Sequence, residues 1–137
     1  MYKRGALLLF LSLTSCGVES LNSKTDFLPY IASFQIEAAS RGIATHVNSL
    51  IVRYGENMKS TTAATCTYGD GGLIEVNPRV WSDLSDITRE ILLFHELGHC
   101  ILYKDHDDSQ LGIMNKILLP GYIGKSRAEY LEDFFYH

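Results

Sequence analysis

The sequence predicts an α+β fold: a small mixed sheet with an N-terminal helix, a long helix carrying paired histidines, and a C-terminal helix. Three observations lead there. Apolar residues recur at helical spacing in residues 26–42 and again from residue 86 onwards. Three short β-rich runs lie between those segments, separated by glycine-containing turns. The chain has 137 residues with 46% apolar content, which suits one domain and is too short for two.

In chain order, "DFLPYIASFQIEAASRG" (26–42) reads as a helix. Asp26 is its candidate cap, and Pro29 suits the first turn. Ile31, Phe34, Ala38 and Ala39 form one apolar face, and Gly42 marks the stop. A strand is expected around Leu50–Tyr54 and a second near Ala64–Tyr68. "DGG" (70–72) is a turn into a third strand, Leu73–Val76. Pro78 cannot donate to a ladder, so this strand ends there or lies at a sheet edge. Ser82 and Ser85 are both candidate caps for the helix that is periodic from Asp86 and includes His95 and His99. "KDHDDSQLG" reads as a loop, and the apolar run after it is broken by Pro120, Gly121 and Gly124. Ser126 caps a closing helix over 126–137.

The first residues belong to a different class. Lys3 and Arg4 precede an apolar run from Ala6 to Leu13, the layout of an export signal too short to remain as a spanning helix. Its end, Leu13-Thr14-Ser15-Cys16, resembles the bacterial lipobox. That resemblance implies a signal peptide over 1–15, a lipid anchor on Cys16, and a polar tether over 16–25 ahead of the domain at 26–137. A plain secretory signal with an incidental cysteine is the other reading. Gly17 in place of Asp favours the outer over the inner membrane, again by resemblance to bacterial lipoproteins. If Cys16 carries lipid, Cys66 and Cys100 remain as a pair in an oxidising compartment, and a disulfide between them is expected. Two separate buried thiols are the alternative. A net charge of −4 and the lack of a long basic run argue against nucleic acid as a partner.

The chemistry concentrates in "FHELGHCILYKDHDDSQLGIMN" (94–115). His95 and His99 are four apart, so on a helix they share a face about 6 Å apart along the axis. Both imidazoles can reach one ion at about 2.0–2.1 Å. Glu96 follows the first histidine and can act as general base towards a water acidified by that ion. Two imidazoles with a carboxylate at hand point to a single Zn²⁺. A surface helix can carry His, Glu and His for solubility alone. Here "ILLF" precedes them, so the helix runs through the core, where unpaired polar groups cost several kcal/mol, of order 2–7. If the helix ran straight on, His106 would lie about 10.5 Å beyond His99, so the chain must turn back soon after residues 100–103.

"HELGH", a further ligand candidate, and then Ile113-Met114-Asn115 resemble the metzincin clan of zinc peptidases. The clan pattern places a glycine three residues after the second histidine and the last ligand six after. Those positions are Leu102 and Asp105 here. The sequence also resembles short secreted bacterial metallopeptidase-like proteins, in which "HELGHC" is followed by a histidine seven residues on. That matches His106, which is favoured over Asp105 as third ligand. The resemblance extends over residues 64–120 and implies a metzincin-like zincin fold. It also implies Met114 beneath the metal and a peptide pairing with an edge strand ahead of the helix, taken as "GGLIEV". Position 116 is Lys where the clan's methionine turn has Pro.

Two other arrangements stay open. Glu129 and Asp133 resemble the gluzincin third-ligand motif on the last helix. Tyr122 either contacts a transition-state oxyanion or is an ordinary packed tyrosine. The expected function is zinc-dependent hydrolysis of peptides or proteins by a monomer in the bacterial cell envelope, with Glu96 as catalytic base and His95, His99 and His106 on the metal. A non-catalytic envelope lipoprotein with a structural metal is the alternative from another class.

Overall fold

The computed structural model describes residues 22–23 and 25–137. The expected signal segment, Cys16 and most of the tether lie outside the described residues. Within that tether, Asn22–Ser23 form a short strand, β1. No helix among the described residues is long and apolar enough to cross a membrane.

Helix α1 spans Leu28–Ser40 with Pro29 in its first turn. Asp26 does not cap it: Phe27 holds the N-cap position, and the Asp26 carboxylate accepts the Tyr54 hydroxyl at 2.8 Å. The helix closes at Gly42, whose φ of +73° lets its own N–H and that of Ile43 bond back to the Ala39 and Ala38 carbonyls, both at 3.0 Å.

Strands β2 (Ile51–Tyr54), β3 (Ala64–Thr67) and β4 (Leu73–Val76) follow. The sheet order is β1-β2-β4-β3, with β1 and β4 parallel to β2 and β3 antiparallel to β4. The sheet is thus mixed, as expected, but its edge is not where the sequence placed it. β4 is flanked on both sides, and among the described residues the edge strand beyond it is β3. Pro78 ends β4 by starting a short helix that the sequence reading missed, α2 over Pro78–Asp83. Asn77 caps it, accepting from the Arg79 N–H at 3.1 Å while its amide donates to the Lys59 and Thr62 carbonyls. Proline at the first helical position loses no intrahelical bond, which is why it can end a strand and open a helix at one residue.

Helix α3 spans Asp86–Leu102 and is capped by Ser85, which accepts the Thr88 N–H at 3.2 Å. Ser82 instead bonds within α2, to the Arg79 carbonyl. Leu92, Leu93, Phe94, Leu97 and Cys100 bury α3 in the single core cluster with Phe34 of α1 and with Val52, Ile74 and Val76 of the sheet. Helix α4, Arg127–Tyr136, closes the core with Tyr130, Leu131, Phe134 and Phe135. A reciprocal Ser126–Glu129 capping box starts it. Phe34 meets the rings of Phe94 and Phe134 edge-on at 5.5 and 6.3 Å, joining α1, α3 and α4. The domain is α+β, and Cys66 of β3 is disulfide-bonded to Cys100 of α3, with Cα atoms 5.8 Å apart.

Candidate metal centre

His95 and His99 lie one turn apart on α3 and both line a cleft of about 830 Å³. The helix ends at Tyr103, whose φ of 54° is left-handed. The Lys104 N–H then closes back on the Gly98 carbonyl at 3.0 Å. This reversal turns His106 towards the helix. The three Nε2 atoms form a nearly equilateral triangle: 3.1 Å between His95 and His99, and 3.2 Å from each to His106. Leu102, at the position of the clan's glycine, remains helical. The left-handed residue comes one position later, and the histidine that returns to the cluster is likewise one position later than Asp105.

Backbone carbonyls fix how two of these rings face. His95 Nδ1 lies 2.7 Å from the Ile113 carbonyl, and His99 Nδ1 lies 2.6 Å from the Lys104 carbonyl. A carbonyl can only accept, so both Nδ1 atoms carry the proton, and in the neutral ring Nε2 is left with a lone pair. Burial pushes the His95 imidazole down to about 4, so it is neutral at pH 7. Unprotonated Nε2 atoms about 3 Å apart repel one another unless a cation sits between them. A tetrahedral ion bonded to imidazole at about 2.0–2.1 Å needs donor atoms about 3.3 Å apart, which the triangle meets within about 0.2 Å. The three histidines can therefore hold a metal ion. Among the described residues no fourth His, Cys, Asp or Glu joins them, so the donor set is that of an open, three-ligand site.

Glu96 is buried at 5% exposure yet lines the same cleft. Burial pushes its carboxyl up to about 7. Among the described residues it has no hydrogen-bond partner, which separates it from acids elsewhere in the fold that are held by arginine. Asp105 is exposed and outside the histidine cluster. Its neighbours stiffen the returning loop: Asp107 accepts from the Ser109 N–H at 2.9 Å, and Asp108 from the Lys116 N–H at 2.9 Å.

The remaining candidates lie outside the histidine cluster. Met114 is buried against α3, with its sulfur where a side chain on Gly98 would have to be. The glycine inside this helix thus makes room for Met114 and Phe134 of the same chain. Glu129 is exposed and spent on its own helix cap, and Asp133 pairs with Lys125 at 2.6 Å. Tyr122 donates to Glu90 at 2.6 Å, an ordinary packed tyrosine away from the histidines.

Comparison with family models, curated proteins and solved structures finds no match for this chain.

The function of the centre therefore has to be argued from its own geometry. Three contributors were invisible in the sequence. The Ile113 and Lys104 carbonyls act through backbone, which carries no side-chain signal. Tyr103 makes a left-handed turn that glycine or asparagine would have announced. The cleft wall was also misplaced: Ala64, Thr65 and Cys66 of β3 line it, not β4.

Proposed function

We propose that this chain is a zinc-dependent endopeptidase of metzincin-like fold, exported and held in the bacterial envelope through lipid on Cys16. The observation that carries the reading is the convergence of three imidazole Nε2 atoms, with two Nδ1–H groups locked on carbonyls, in a cleft that also holds an unpartnered buried glutamate. Three imidazole nitrogen donors with tetrahedral spacing favour Zn²⁺. Such an ion, when bound, supplies a Lewis acid for the scissile carbonyl and lowers the pKa of a water towards neutrality.

The protein's own groups perform the rest. His95, His99 and His106 would hold the ion in the cleft that they line. Glu96, with its carboxyl held near 7 by burial, is poised to take a proton from water and return it to the departing amine at neutral pH. The outer edge of β3 borders the cleft, so an extended peptide can add to the sheet as a further strand, held by backbone hydrogen bonds. Val80, Ile91, Leu92 and Leu118 supply apolar wall to the cleft.

Glu96→Gln tests the assignment. The variant should keep one zinc per chain and lose hydrolysis of casein and of a quenched-fluorescent peptide library by at least about 100-fold. Zinc loss in Glu96→Gln would make Glu96 a ligand or a structural group. Absence of turnover in the zinc-loaded native protein would leave a non-catalytic metal protein.

A further inference from the structure

The disulfide joins two elements that both line the cleft, β3 and α3. Among the described residues β3 pairs on one side only, with β4, and its other edge has no strand partner. Within this four-residue strand, Ala64 and Cys66 are half-buried while Thr65 and Thr67 are exposed, so the Cys66 side chain faces inwards. Its partner Cys100 directly follows His99 on α3 and is 5% exposed. One covalent bridge therefore joins the strand that borders the cleft to the residue next to a histidine of the cluster. A weaker tie lies just past the ends of the two elements: Tyr68 and Tyr103 stack at 6.2 Å, both largely exposed to water. None of the three clustered histidines lies on β3; all come from α3 and the loop that follows it.

From this layout we propose that the Cys66–Cys100 bridge is a positioning device for substrate: it sets the separation between the free edge of β3 and the histidine cluster. The proposal rests on the peptidase reading above and deepens it. Metal binding needs only α3 and its returning loop, so it does not depend on the bridge. Binding of an extended peptide needs the ion and the β3 edge at a fixed distance, so it does. Without the bridge, β4 stays paired to β2 and packed in the core through Ile74 and Val76, while β3, at the edge, loses its covalent tie to α3 and gains local freedom. The peptide then has to supply the ordering that the bridge supplies beforehand.

The test compares the zinc-loaded native chain with the Cys66→Ala/Cys100→Ala variant, and with native chain reduced by a phosphine and alkylated in case the variant does not fold. Two inhibitors separate the effects. Acetohydroxamate reaches only the metal, while a tetrapeptide hydroxamate also spans the β3 edge. Loss of the bridge should leave zinc stoichiometry and acetohydroxamate affinity within about twofold, weaken the tetrapeptide hydroxamate about tenfold or more, and raise KM with kcat within about threefold. Amide exchange should speed up at residues 64–67. Equal weakening of both inhibitors would show that the bridge merely supports the fold, and no weakening of either would equally overturn the proposal. If the native protein binds acetohydroxamate but neither binds the tetrapeptide compound more tightly nor cleaves peptide, the peptidase reading itself fails. That outcome is distinct from native cleavage that is indifferent to the bridge.

Discussion

Gly98→Ala separates two opposing effects on the helix that carries the histidines. In a bare helix the change is favourable by about 1 kcal/mol. Here an added Cβ would lie 2.6 Å from the Met114 sulfur and 2.9 Å from Phe134 Cε2. Ordinary carbon contacts need about 3.5–4.0 Å, so both neighbours must retreat by roughly 1 Å. Both are buried, Met114 at 7% and Phe134 at 3% exposure, in a core with little free space. Overpacking of this kind costs about 1–3 kcal/mol, and two simultaneous clashes place it in the upper half of that range. The expected net is a loss of about 1–2 kcal/mol and a fall in Tm of about 3–10 °C. The perturbation reaches the site, because Met114 follows Ile113, whose carbonyl orients His95 at 2.7 Å. Displacing that loop should also weaken zinc by about tenfold, the size expected for disturbing a partner that orients a ligand. Urea unfolding of the metal-free chain and competitive zinc titration measure the two effects. Adding Met114→Ala removes the main clash, so the double variant should show a coupling of about 1 kcal/mol or more. A Gly98→Ala chain that is more stable than the native one, with no coupling to Met114, would refute the close approach.

Two further outcomes can be checked. His106→Ala should lower zinc affinity by more than about 100-fold, beyond the 10–100-fold typical of an outer partner, whereas Asp105→Ala stays within about threefold; the reverse order in a zinc competition titration would exchange their roles. Acid stability should depend on Glu90 and Glu37. Burial alone would raise both carboxyls, but bonds from Arg127 and Tyr122 to Glu90, and from Arg41 and Arg127 to Glu37, outweigh it and hold both below the usual range. A depressed folded pKa gives stability that is full above the unfolded value of about 4.3 and is lost as pH falls through the folded value. Urea midpoints should therefore drop below about pH 4.5, and less steeply in Glu90→Gln/Glu37→Gln; an unchanged slope would exclude the pair as the source.

The parts of this fold that the sequence announces are those governed by short-range rules. Ser85 and Ser126 cap their helices because a serine oxygen reaches an N–H two or three residues on. Ile31, Phe34 and Ala38 face the core because the helix repeats every 3.6 residues. Where two local rules competed, the outcome was not legible. Asp26 looked like a cap but is held by Tyr54, a residue distant in sequence. Pro78 looked like the end of a strand and is also the start of α2. The edge of the sheet could not be read at all, since strand order depends on pairing between runs and not on the runs themselves.

The centre divides in the same way. His95, Glu96 and His99 are placed by helix geometry within five residues, so their sequence alone put two imidazoles on one face with a carboxylate beside them. Which of Asp105 and His106 comes back beside the helical histidines, where the sequence favoured His106, depended on the folded chain. It turned on where α3 ends, on the left-handed Tyr103, and on the Lys104 N–H closing on Gly98. The tautomers of His95 and His99 were likewise set by carbonyls that the returning loop delivers. A shift of one residue in that turn carries a side chain several ångströms, and packing of the loop against Gly98, through Met114, adds to the backbone bonds that fix which residue comes back.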